Sequence, residues 1–498
     1  MRTRISLPLL GIMLIAALSF SYGEEKGKTK IAGQQEQACA ACYGNEAVAL
    51  GDQTACTSCG SCYCGQSNSL IPCCYKRAGR FYYDGWITVG ATSFDQPPIT
   101  TIPAPSEVDR GSDGASQIQM NQLYMILGID QERGGNLSIG GRVDLLYGAD
   151  YLYTSSIGLE TKSKSWAGYP TETVYGAATK WNRNSRGGFS EYGLALPQAY
   201  AEIYAPLMEG LSVKVGHYYS PVGYESVMSP SNFFYTHSYS MLYGEAQTLT
   251  GVLANLKLNR NWSLIGGVDQ GWNTWDDIAN TVSWLTGFKW QNDCKTSSLA
   301  FTLMNGDQVV ATGANSIVNN QPNYGTLKGN STNYSLVYQQ KLTPALQYVF
   351  QHDLGYVENG SYWDELGWTG LSKNLENANW YSIVNYLFYQ INENLAIGGR
   401  FEWFKDEGFR QYYSQATRLT TPFSTLGYQV QGDNMFNVAL GLNWKPTPWM
   451  TVRPEIRYDW ADFEVVNPAT GQVLSKGLYD GYSKKDIVTV SGDVVIRF

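Results

Sequence analysis

Asp486-Ile-Val-Thr-Val-Ser-Gly-Asp-Val-Val-Ile-Arg-Phe498 is the stretch whose reading decides the fold. Val488, Val490, Gly492, Val494, Ile496 and Phe498 form one set, apolar or small. Thr489, Ser491, Asp493 and Arg497 lie between them. A period of two puts each set on its own face of a β-strand. One face is suited to hydrocarbon or a core, the other to water.

The same rhythm repeats from Arg80 onward. Leu123, Met125, Leu127 and Ile129 alternate with Gln122, Tyr124, Gly128 and Asp130. A turn at Gly134, Gly135 and Asn136 then leads into Leu137, Ile139, Val143 and Leu145, with Ser138, Arg142 and Asp144 on the opposite face. Glycine and asparagine there suit a tight hairpin. Short connections fall at Pro206–Gly210, Asn259–Asn261, Gln340–Thr343, Ile391–Asn394 and Lys445–Pro448, and long ones at 148–192, 220–243, 307–330, 358–377, 406–433 and 462–484. The count is about 16 strands, even as bacterial barrels require, and short turns opposite long loops are their habit. The expected fold is all-β: a transmembrane antiparallel up-and-down β-barrel over residues 80–498.

A soluble sandwich also alternates, since one face meets water. Here the outward faces carry aromatics, Phe401, Trp403, Trp444, Trp449, Tyr458 and Trp460, placed as in interfacial girdles. The other face carries charges that a packed core would reject. Parity puts Arg142, Asp144, Glu202, Lys214, Asp269, Arg400, Glu402, Arg453, Glu455, Arg457 and Asp459 inside, as candidate pore-lining residues. A charge at mid-membrane on the lipid face costs about 2–4 kcal/mol, so this division is physically enforced. Pro454 interrupts the row without a donor for the ladder and suggests a bulge.

The beginning of the chain reads as an export signal. Arg2 and Arg4 precede the apolar run Leu7–Leu18, and Ser21 and Gly23 supply small residues before cleavage. That run is shorter than the ~20 residues a membrane-spanning helix needs. The expected division is a signal peptide over 1–23, a small cysteine-rich periplasmic segment over 24–79 and the barrel over 80–498. Cys39, Cys42, Cys56, Cys59, Cys62, Cys64, Cys73 and Cys74 crowd into one stretch, while Cys294 stands apart. Export favours disulfides, although the two CxxC pairs also fit zinc spacing, so both remain open. No histidine follows either CxxC, which argues against haem attachment. No cofactor is expected. The net charge of −8 excludes nucleic acid as a partner. The amphipathic strand ending at Phe498 resembles the C-terminal signature read by the barrel-insertion machinery of outer membranes, whose lipid would surround the barrel.

The connection Gly216-His-Tyr-Tyr-Ser-Pro-Val-Gly-Tyr-Glu225, followed by Pro230-Ser-Asn-Phe-Phe-Tyr-Thr-His237 and Thr248-Leu-Thr-Gly251, is the most distinctive segment. A Phe-Phe-Tyr run left in water would be a costly exposed patch, so the loop is expected either to fold into the barrel and narrow it or to pack over the barrel's own rim. This stretch resembles the OmpL-like putative β-barrel porin family, and the strand rhythm extends the likeness over about residues 80–498. The resemblance implies a water-filled channel for small solutes, and analogy with general porins, which the chain also resembles, suggests a homo-oligomer. General porins narrow their lumen with the third external loop, which makes Glu225 a candidate eyelet residue by analogy. The cysteine-rich segment lies outside what the resemblance covers. Two alternatives compete: a non-conducting barrel anchoring that segment, and an enzyme. The sequence offers His217, His237 and His352 and no recognisable nucleophile motif.

Overall fold

The computed structural model describes residues 69–71, 76–93, 118–156, 159–160, 192–275, 280–318, 321–361, 376–407, 429–467, 470–475, 477–479 and 484–498. The expected signal peptide and all eight clustered cysteines lie outside the described residues.

Sixteen strands form one antiparallel barrel. In chain order they are β1 (Phe81–Thr92), β2 (Ile118–Ile129), β3 (Ser138–Gly148), β4 (Gly193–Ala205), β5 (Leu211–Tyr219), β6 (Thr248–Lys257), β7 (Trp262–Asp269), β8 (Ser283–Gln291), β9 (Ser297–Val318), β10 (Gln321–Lys341), β11 (Leu346–Ser361), β12 (Glu376–Asn392), β13 (Leu395–Asp406), β14 (Asn434–Thr447), β15 (Met450–Ala461) and β16 (Asp486–Arg497). Each pairs with its neighbours in sequence, and β16 closes on β1 with Trp86 opposite Arg497 and Thr92 opposite Ser491. Closure leaves no open edge, the condition for crossing lipid on strands.

The two faces divide as their periodicity requires. On β15, Ile456, Tyr458 and Trp460 point outward, while Arg453, Glu455, Arg457 and Asp459 are buried inside. On β16, Val488 and Val490 face out while Thr489, Ser491 and Asp493 face in. Gly85 lies under the Phe498 ring, where a Cβ would collide with it, and its carbonyl accepts the Phe498 N–H at 2.9 Å.

Three features differ from the sequence reading. Residues 307–330 are not a loop: they belong to β9 and β10, which run 22 and 21 residues and pair antiparallel up to Val318 and Gln321. At about 3.3 Å per residue each spans roughly 70 Å along the strand, well past an apolar band ~25 Å tall. Its many Gly, Asn, Ser and Thr residues read as loop, yet the ladder pairs them through to Val318 and Gln321, with register shifts at Val309/Ala311 and Ala314/Ser316. Pro454 makes no bulge: it pairs in register with Gly492 and faces outward. Further long connections over 93–117 and 270–282 had no expectation.

Before β1, Lys76 pairs with Asp84, Arg77 Nη1 lies 2.5 Å from Asp130 Oδ2, and the Leu70 N–H donates to the Arg497 carbonyl at 2.8 Å. This segment therefore lies against the end of the barrel that carries the short turns. Cys294 sits half-buried in one of those turns, Asn292–Thr296.

Candidate functional site

The third long connection, residues 220–247 and called L3 below, folds into the lumen. Its shape is locally specified. Gly223 has φ +81° and lies against the Glu245 carboxylate, so a side chain there would be both strained and blocked. Asn232 accepts the Ser226 N–H at 2.9 Å and donates back to the Ser226 carbonyl, closing the bend around Ser229–Ser231. A single π-helical turn, Ser240–Gly244, packs its whole length inside.

L3 docks by two means. The first is aromatic. Phe233, Phe234 and Tyr235 lie over Gly398, Gly441 and Gly90 of the wall, so that a Cβ at each glycine would meet the ring above it. Phe233 also packs on Phe388, with ring centroids 4.7 Å apart. Phe234 joins Val337, Val349, Val384 and Tyr386 in one apolar cluster.

The second is polar and uses the charges of β13 and β15. Arg400 Nη1 donates to Glu225 Oε1 at 2.9 Å and to the Thr236 carbonyl at 2.8 Å. Glu455 accepts the Tyr235 and Thr236 N–H groups at 2.9 and 3.0 Å. Glu402 accepts those of Tyr239 and Ser240, both at 2.7 Å. Arg453 donates to the Ser229 and Asn232 carbonyls, each at 2.8 Å, and pairs with Asp493. Arg457 donates to the His237 carbonyl at 2.5 Å and pairs with Asp459 at 2.8 Å. Loop backbone that would otherwise lose its water is thus satisfied by wall side chains.

Seven predicted residues, Glu225, Arg400, Glu402, Arg453, Glu455, Arg457 and Asp459, therefore meet in one network. Their environment differs from the expectation. They do not face free lumen but are sealed beneath L3, with Glu225 only 4 % exposed at its side chain. Glu225 does not project across an opening: its other partners are Tyr386 OH at 2.9 Å, the Ser238 N–H at 2.9 Å and His237 Nδ1 at 3.1 Å. Burial would raise its pKa, but Arg400, His237 and the Ser238 N–H together bring it down to about 2. Glu245, in the same loop, goes the other way. Burial first and the neighbouring Asp353 second hold it well above the usual carboxylate range. Gln351 donates to both, at 2.5 Å to Glu245 and 2.6 Å to Asp353.

The remaining predicted residues fall elsewhere. Arg142 and Asp144 pair at 2.6 Å, and Asp144 also accepts Tyr124 OH at 2.5 Å and Gln198 Nε2 at 2.8 Å. Arg142 touches L3 at Met228, 3.8 Å from its sulfur. Glu202 and Lys214 face each other across β4 and β5, half-buried, with the Lys214 ammonium 4.4 Å over the Tyr200 ring. Asp269 stands apart, accepting Ser283 Oγ and the Gly271 N–H at 2.8 Å, and so fixes the connection after β7.

Sequence reasoning missed Gln122, Gln351, Asp353 and Tyr386. Gln122 donates to the Val227 carbonyl at 2.6 Å, accepts the Ser229 N–H at 3.2 Å and ties L3 to Trp86. Inward parity was a signal for all four, but uncharged and single acidic side chains did not stand out from it.

The family whose description is "Putative beta-barrel porin-2, OmpL-like" matches residues 80–498. Among solved structures, the chain is similar to the outer membrane channel DcaP of Acinetobacter baumannii, with 11 % identity, TM-score 0.49, and 84 % of this chain and 97 % of that one covered. It is likewise similar to Pseudomonas putida OprB, with 12 % identity, TM-score 0.48, and 84 % and 94 % covered. A porin from Comamonas acidovorans, described as anion-selective, aligns at 8 % identity and TM-score 0.47, with 84 % and 99 % covered. No curated protein matches the sequence.

Proposed function

Because the chain belongs to the OmpL-like β-barrel porin-2 family, an outer-membrane channel for small solutes, we propose that solutes cross it passively and that L3 is its constriction. The observation that carries this reading is the docking of L3 itself. Residues 234–247 are buried within the barrel, whereas Pro221, Tyr224, Met228, Pro230 and Ser231 keep some exposure, and the Pro230 carbonyl accepts Arg497 Nη2 at 3.3 Å. A barrel of 16 strands is wide enough for an aqueous channel, so a loop bolted across it decides what passes. Arg142, Glu202 and Lys214 on the wetter half are the charges a solute would meet. The anchoring alternative is not favoured by the family. On the same reading we assign the cysteine-rich segment to the periplasm, since the described residues 69–71 and 76–80 that follow it lie at the short-turn end.

Single-channel recording of the full chain in a planar bilayer tests this. Deleting residues 226–238 should raise conductance severalfold. Unchanged conductance would sink L3 as the constriction, and a silent, folded wild-type barrel would sink the channel.

A further inference from the structure

The charges inside the barrel are sorted by height. At the level of L3, carboxylates and arginines are paired with each other and bonded to the loop. Toward the short-turn end the picture changes. Parity and register put Lys214, Lys257, Lys289, Lys341, Lys445 and Arg497 on the inner face. None of these six has an ion pair among the described residues.

Lys257 and Lys289 both lie in register with Ser263, from either side, so three adjacent strands bring two lysines to one level of the inner face. Lys289 and Lys257 are exposed, as are Lys445 and Arg497. Lys214, which faces Glu202 across the strands, also lies close enough to Arg142 and Lys289 to feel the charge of each. The inward carboxylates of this half are mostly committed: Asp84 to Lys76, Asp130 to Arg77, Asp144 to Arg142. Glu202, which accepts Ser212 Oγ, is the one left without a cation among the described residues. Six unpaired cations thus face one such carboxylate, in a chain whose net charge is −8.

Like charges gathered in a wet enclosure with low-dielectric walls focus their field on the enclosed water and concentrate counter-ions there. The carboxylates at the L3 level do not cancel this, since they are buried and bonded rather than facing the water. On the porin reading above, we propose that the channel is selective for anions. Its favoured solutes are then small organic or inorganic anions, which gather on the lysine-lined half of the lumen.

The test is the reversal potential of the full chain in a planar bilayer under a potassium chloride gradient. Chloride should be favoured over potassium severalfold, less so at high salt because screening shortens the reach of each charge. Replacing Lys214, Lys257 and Lys289 with Glu leaves three cations against four carboxylates, and the reversal potential should change sign. The milder Lys→Gln triple should reduce the preference without reversing it, which keeps the idea testable if the first variant fails to insert. Lys405→Gln, on the outer face near the opposite rim, should change nothing. A wild-type channel that prefers potassium, or one whose selectivity ignores the lysine triples, overturns the proposal and leaves the porin reading standing. A silent barrel with β-sheet circular dichroism overturns both, and is distinguished by having no current to reverse.

Discussion

Consider Glu225→Gln. The substitution keeps size and shape but removes the charge opposite Arg400, whose side chain is fully buried. Breaking a buried pair from one side costs about 3–5 kcal/mol, because the remaining charge is stranded. Glu455, 3.9 Å from Arg400 Nη2, offsets part of that and argues for the lower end. A second route gives the same size. A carboxyl held at about 2 instead of 4.5 corresponds to about 3 kcal/mol favouring the ionised, docked form. Arg453, Glu455, Arg457 and Glu402 still hold the loop, so L3 should remain docked on average while its open fraction rises about a hundredfold. Residues 220–247 contain no Lys or Arg, which makes trypsin blind to L3, but Phe233, Phe234 and Tyr235 are chymotrypsin sites. Cleavage of the folded barrel tracks the open population when reclosing is fast. Chymotrypsin should therefore cut the variant at L3 far faster than the wild type. Rates equal within a factor of three would refute the claim that the Glu225–Arg400 pair latches the loop.

Glu245→Gln should behave oppositely. Its carboxyl sits beside Asp353, and burial and that neighbour both disfavour its charge, so the amide should leave L3 protection unchanged or improved in the same proteolysis assay. Acid should loosen the loop. Glu225, depressed to about 2 from 4.5, contributes docking stability that is complete above pH ~4.5 and lost as pH falls toward ~2. Channel noise and conductance should rise across that window, and Glu225→Gln should remove its share of the change. Gly398→Ala would put a methyl group into the Phe233 ring. Overpacking of this kind costs about 1–3 kcal/mol, visible as faster chymotrypsin cleavage with the barrel itself intact; unaltered protection would mean the ring shifts freely.

The barrel was legible because lipid enforces a period of two on nearly every strand, and the outward sets of β13, β15 and β16 obey it. The 307–330 hairpin was not legible, because outside the membrane nothing demands apolar alternation and Gly, Asn and Ser read as turn. The inward direction of L3 was readable from one cost, that of leaving Phe233, Phe234 and Tyr235 in water. Where L3 lands was not readable. Its seats are Gly90, Gly398 and Gly441, and a strand glycine announces only that something comes close. Glu225 shows the same limit. The resemblance singled out a loop that folds inward and a residue of it that is bonded to the wall, but the direction of that side chain depends on Arg400 and Tyr386, 175 and 161 positions away.

The choice of cation at each height follows from what each is asked to hold. Arg400, Arg453 and Arg457 each donate to main-chain carbonyls of L3 while engaging a carboxylate, a task that needs several donors in a fixed plane. A guanidinium supplies them with little reorganisation and tolerates loss of water. Below L3 the unpaired cations are lysines apart from Arg497, which still reaches the Pro230 carbonyl at 3.3 Å. An ammonium on a flexible stem keeps its hydration and is a poor clamp but a good source of field. Exchanging the types should separate the two roles. Arg457→Lys keeps the charge yet should loosen L3, because one ammonium cannot span Asp459 and the His237 carbonyl as the fork does. Lys289→Arg keeps the field and should leave the reversal potential in place. If Arg457→Lys were as resistant to chymotrypsin as the wild type, the arginines would be acting through charge alone, and the division of labour argued here would fall.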